Sequence, residues 1–162
     1  MNAVLARATA TGTITDSFVP AAVAPVLTHV TQTHTRWCEG TALAVISRSA
    51  KRRPPVGTRF SFSLNQSASA TLAFTQSLPG RSTHGHCVAQ TNKNRKSRAC
   101  SRVVTRHTLR SAGHAGTNRV SFQGRFSRSS ALKPGRYTLV VTAVNAAGRR
   151  SRSSALTFTI VK

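Results

Sequence analysis

The sequence predicts an all-β protein: an antiparallel β-sandwich of about seven short strands, with one loop closed by a disulfide. Three observations predict it. Apolar residues alternate with small polar ones in several short segments, turn signals recur about every dozen residues, and two of the three cysteines bracket a polar loop. No segment of useful length has the period of a helix, and no apolar run approaches the roughly 18 residues of a membrane span.

Taken in order, residues 4–15 (VLARATATGTIT) alternate weakly, are rich in β-branched residues and read as a strand. Asp16 to Ala22 has linker character. The division expected is a remnant strand and linker over 1–24, then one sandwich domain over 25–162. From Pro25, the apolar Val26, Leu27 and Val30 lead to Trp37 and then to Leu43-Ala44-Val45-Ile46, followed by a basic, proline-bearing connection over 47–57.

In TRFSFSLN (58–65), Phe60, Phe62 and Leu64 share one face and Ser61 and Ser63 the other, the period of a half-buried strand. SATLAFTQ (69–76) repeats the device with Ala70, Leu72 and Phe74, and a short polar turn at Gln66-Ser67 predicts that the two pair as a hairpin. Leu78-Pro79-Gly80 is expected to break the run. Val103-Val104-Thr105 and Asn118 to Phe122 are further strands. Leu132-Lys133-Pro134-Gly135 is a turn. It launches RYTLVVTAVN (136–145), in which Tyr137, Leu139, Val141 and Ala143 share a face; Asn145 to Gly148 turns the chain, and Leu156, Phe158 and Ile160 line the last strand.

Cys87 and Cys100 bracket QTNKNRKSRA between two strand-like segments, where a disulfide would clip a hairpin or long loop. In the simple chain-entropy account, closing about 14 residues contributes roughly 3 kcal/mol. A structural disulfide implies an oxidising compartment and leaves Cys38 over, buried or free to pair between chains. The opening MNAVLARATATGTITDS lacks the apolar core of a secretory signal, so an exported chain of this sequence is expected to be a fragment.

Charge is the most unusual property. Lys and Arg number 24 against two acids, Asp16 and Glu39, a net charge of +22. Such a surface attracts polyanions. The charge is spread as single residues and pairs, densest at Lys51-Arg52-Arg53, from Lys93 to Arg102 and at Arg149-Arg150-Ser151-Arg152. The loop cations Lys93, Arg95, Lys96 and Arg98 are the expected contact for any polyanion, although a charged loop is also what a solvated hairpin tip looks like.

Catalytic chemistry finds little to work with. Asp16 and Glu39 lie in unrelated segments, so neither a carboxylate pair nor a Ser-His-acid triad is expected, and no Gly-x-Ser-x-Gly occurs. No enzymatic role and no cofactor is expected. His84-Gly85-His86 would place two imidazoles on one face of an extended strand, but without a third ligand nearby no metal site is expected. No helix-turn-helix, zinc finger or base-stacking aromatic pair supports nucleic-acid binding, which remains the alternative that the charge alone favours.

The final stretch, LKPGRYTLVVTAVNAAGRRSRSSALTFTIV, resembles the last two strands of bacterial immunoglobulin-like and fibronectin type III-like modules, in which Pro-Gly-x-Tyr leads into the penultimate strand. PVGTRFSFSLN, GHCVAQTNKNRKSRAC, GTNRVSFQGR and LKPGRYTL together resemble an extracellular immunoglobulin-like module recurrent in actinobacteria. The ordered series covers residues 54–162, and TRWCEG would belong to the module's first strand. The resemblance implies an immunoglobulin-like sandwich and gives Tyr137 the place of a tyrosine corner, its hydroxyl tying the turn to a neighbouring backbone. NAVLARATATGTITD resembles the last strand of a Calx-beta domain. Calcium binding is not carried over, because one carboxylate cannot supply the ligand set. The expectation is a non-catalytic module of a secreted or cell-surface protein, a spacer or adhesion element beside neighbouring domains, whose basic face touches anionic wall polymers.

Overall fold

The computed structural model describes residues 23–40 and 55–162, which contain nine β-strands and no helix. They are β1 (Leu27–Gln32), β2 (Arg36–Cys38), β3 (Thr58–Leu64), β4 (Ala68–Thr83), β5 (His86–Val88), β6 (Ala99–Gly113), β7 (Gly116–Phe122), β8 (Gly135–Val144) and β9 (Ser154–Val161). The strand expected over 4–15, the linker after it, Leu43–Ile46 and Lys51–Arg53 lie outside the described residues.

Two sheets form the layers. One has the order β1-β3-β7; the other runs β2-β9-β8-β4, with β6 and β5 also paired to β4. All pairings between named strands are antiparallel except β2 with β9. The alternation read from the sequence dictates what lies between the layers. Phe60, Phe62 and Leu64 of β3 and Phe122 of β7 meet Leu72 and Phe74 of β4, Leu139 and Val141 of β8, and Phe158 and Ile160 of β9, all buried. Each such side chain contributes about 1.5–3 kcal/mol when removed from water.

The expected hairpin of residues 58–65 with 69–76 does not form. β3 pairs with β1 and β7, and β4 with β6, β8 and β5. Period-two alternation says which residues face the core, not which strand lies alongside. Both strands bury the same parity of residue against each other across the core, as with Phe60 and Phe74, whose ring centroids stand 6.1 Å apart. The turn at Asn65–Ser67 therefore crosses between layers.

The count of nine, against about seven expected, has two sources. The first strand is divided: β1 lies in one sheet, and three residues later β2 joins the other along β9. Trp37 on β2 is thereby fully buried, stacked on Phe158 at 5.6 Å and edge-on to Phe122 at 5.9 Å. The second source is β5, a short strand inside the cysteine-bracketed segment.

Leu78-Pro79-Gly80 does not break the chain either, because β4 runs straight through it for 16 residues. Proline is tolerated there for a local reason. On one edge β4 pairs with β8 over Ser69–Thr75 and with β5 only from Arg81, so Pro79 falls in an interval without a strand partner, where its missing N–H costs nothing. The half of β4 beyond Thr75 thus leaves the sandwich as a ribbon with β6, turned at its tip into β5 by His84-Gly85. Both turn residues have positive φ, 49° and 79°, as a two-residue type I′ hairpin demands.

Candidate functional site

The ribbon carries the chemistry singled out by the sequence. Cys87 on β5 and Cys100 on β6 form the disulfide, with their Cα atoms 6.0 Å apart. They pair with Ser82 and Gly80 of the intervening β4, so the bridge passes over that strand. Gly80 makes the crossing possible, since a Cβ there would stand 2.8 Å from Cys87 Sγ and 2.5 Å from Val88 O. The ten residues between β5 and β6 fold on Asn94, whose Oδ1 accepts from Thr91 N at 2.7 Å and whose Nδ2 donates to Ala89 O at 2.9 Å. Arg81 ties the segment back to β4, donating from Nε to Gln90 Oε1 and from Nη1 to Ser97 O.

Lys93, Arg95, Lys96 and Arg98 all lie exposed on this one segment. None of the four side chains has a hydrogen-bond or ionic partner among the described residues. The loop is held by its backbone with Asn94 and Arg81, and its four other charges are left to solvent.

Tyr137, near the start of β8, is 3% exposed, and its hydroxyl donates to Lys133 O at 2.7 Å. The bond ties the Leu132–Gly135 turn to the strand it launches. Burial pushes the phenol above its usual range, and Glu39 pushes the same way; Arg106 and the Lys133 bond pull it down. Arg106 reaches this place through a β-bulge. Phe74 pairs with His107 and Thr75 with Thr105, leaving Arg106 as the extra residue. Beside it, His107 stacks on Phe126 with centroids 3.5 Å apart. Between β6 and the β7–β8 connection opens a cleft of about 450 Å³, lined by Gln76, Arg106, His107, Phe126, Lys133 and Tyr137 among others.

The remaining marked residues are dispersed. His84 occupies the hairpin turn and His86 the first position of β5, so they do not share a face of one extended strand. Among the described residues no three His, Cys, Asp or Glu side chains gather as a metal site. Cys38 is a half-buried free thiol, its Sγ 3.6 Å from Lys162 O. Glu39 is the sole acid among the described residues, and Asp16 lies outside them.

Sequence reading missed the cleft. Arg106, Gln76 and Lys133 are 30 and 27 residues from one another along the chain, and only the bulge turns Arg106 toward Gln76. An Arg-His pair in a strand-like run was the one available signal, and nothing in the local pattern marks an inserted residue. Among the described residues no helix is long and apolar enough to cross a membrane. Compared with known proteins, the chain matches no family model and no curated protein.

Proposed function

We propose that this protein is a non-catalytic extracellular module of the immunoglobulin-like, fibronectin type III-like kind. It serves as a spacer or adhesion element in a larger secreted or cell-surface protein and touches anionic polymers through its basic ribbon. The observation that carries this reading is the Cys87–Cys100 disulfide built across β4. Such a bridge forms and persists where thiols are oxidised. The immunoglobulin-like reading is supported by Tyr137, which makes the backbone bond of a tyrosine corner at the entry to the penultimate strand. The non-catalytic reading is supported by composition, since two acids distant in sequence leave proton transfer without a carboxylate pair.

The polymer contact is supported by the four free loop cations and the net charge of +22. It is tested by sedimenting the protein with bacterial cell-wall sacculi before and after acid removal of their phosphate-linked polymers. The expected result is binding that is lost from stripped sacculi and weakens as salt is raised. Equal binding to stripped sacculi contradicts it. The charge equally favours nucleic acid, and preferential capture by single-stranded DNA in competition with intact sacculi would select that reading instead.

A further inference from the structure

The cleft between β6 and the β7–β8 connection has the makings of an anion site distinct from the loop. Its lining holds the cations Arg106 and Lys133 and the imidazole of His107, and no carboxylate. Arg106 is held in position: its Nε donates to Gln76 Oε1 at 2.7 Å, and Gln76 Nε2 donates in turn to Arg136 O at 3.2 Å. The second bond fixes which end of the amide faces the guanidinium. The terminal nitrogens of Arg106 are left without a partner among the described residues. Lys133 is anchored by its carbonyl, which accepts the Tyr137 hydroxyl. An apolar wall completes the site, with His107 stacked on Phe126 and Phe126 packed against Phe74 and Phe122.

We propose that this cleft seats one oxyanion group, a phosphate or a carboxylate, on the free fork of Arg106 and the ammonium of Lys133. A guanidinium already oriented by a neighbour loses little freedom on binding, and its paired N–H groups match two oxygens of one anion. The apolar wall strengthens the attraction by excluding water from one side. His107 and Phe126 stack on each other, which uses one face of each ring, and the two cations of the lining match a single anionic group. The inference rests on the polyanion reading and deepens it, naming where on the module a single charged group of the polymer is held.

The test is an NMR titration of the intact, disulfide-bonded protein with tripolyphosphate and, separately, with citrate, following the side-chain N–H signals of Arg106 and Gln76. Saturable shifts of both signals are expected, and the probe that saturates lower identifies phosphate or carboxylate as the preferred group. Arg106→Gln and Lys133→Gln are each expected to weaken binding at the cleft tenfold or more. Arg149→Gln, which removes the same charge from the distant β8–β9 turn, should change it less than twofold. Lys133 is exposed, so its variant stays informative even if Arg106→Gln perturbs the ribbon. Shifts confined to residues 89–98, or equal weakening by all three variants, overturn the cleft while leaving the polyanion reading standing. Absence of saturable shifts anywhere overturns both.

Discussion

Cys87 Sγ lies so close over Gly80 that a methyl group added to the glycine would stand 2.8 Å from it. The disulfide and the glycine are thus a matched pair: β4 passes beneath the bridge only because residue 80 has no side chain. Gly80→Ala is expected to destabilise the protein by about 1–3 kcal/mol, the usual cost of overpacking a closed site. Urea unfolding of the oxidised variant measures it, and an unchanged midpoint would contradict the crossing.

Removing the bridge acts chiefly on the unfolded chain. Cys87→Ser with Cys100→Ser frees a loop whose ends are 13 residues apart, worth about 3 kcal/mol in the chain-entropy account. The β4–β8 and β3–β7 ladders do not involve this loop, so the sandwich should persist with a lower midpoint. Amide exchange should quicken over 81–100 and remain slow over 139–143. Uniformly faster exchange would mean that the ribbon and sandwich open together.

Tyr137 is the sole tyrosine, so its ionisation can be followed directly by absorbance. Its folded pKa is raised, chiefly by burial, above the ordinary value of about 10. The sign follows from linkage: the stability associated with the neutral phenol is fully present below about pH 10 and is lost as pH rises through the higher folded value. Arg106 lowers this pKa, so Arg106→Gln should shift the tyrosinate midpoint further up. An unchanged midpoint would show that the guanidinium does not act on the phenol.

Trp37 belongs to a strand of only three residues, yet it fills the space between Phe122 and Phe158. Trp37→Ala is expected to cost about 3–5 kcal/mol, measured by chemical unfolding. Trp37→Phe should recover most of that loss by restoring the ring contact with Phe158. Failure of phenylalanine to improve on alanine would contradict the stacking.

Much of this fold was legible because each strand writes its buried face in alternate residues. Phe60, Phe62, Leu64, Leu139 and Val141 were readable as core from period two alone. Pairing was not, and the 58–65 and 69–76 segments show why: alternation fixes a face and leaves the neighbour open, so a supposed hairpin became two facing layers. Pro79-Gly80 misled for a different reason. A local breaker signal was overridden by an edge without a partner at Pro79 and by a disulfide crossing at Gly80. At the candidate site, the loop cations could be named from spacing between cysteines. The cleft could not, because Gln76, Arg106 and Lys133 meet only through the bulge in β6 and the turn bound by Tyr137.

Non-reducing peptide mapping by mass spectrometry, on protein exported to an oxidising compartment and alkylated before digestion, tests the central claim most directly. The account predicts one linked peptide pair joining Cys87 to Cys100, with Cys38 recovered in alkylated form. Three alkylated cysteines, or a bridge from Cys38 to either of the others, would contradict the disulfide-crossed ribbon and with it the extracellular reading.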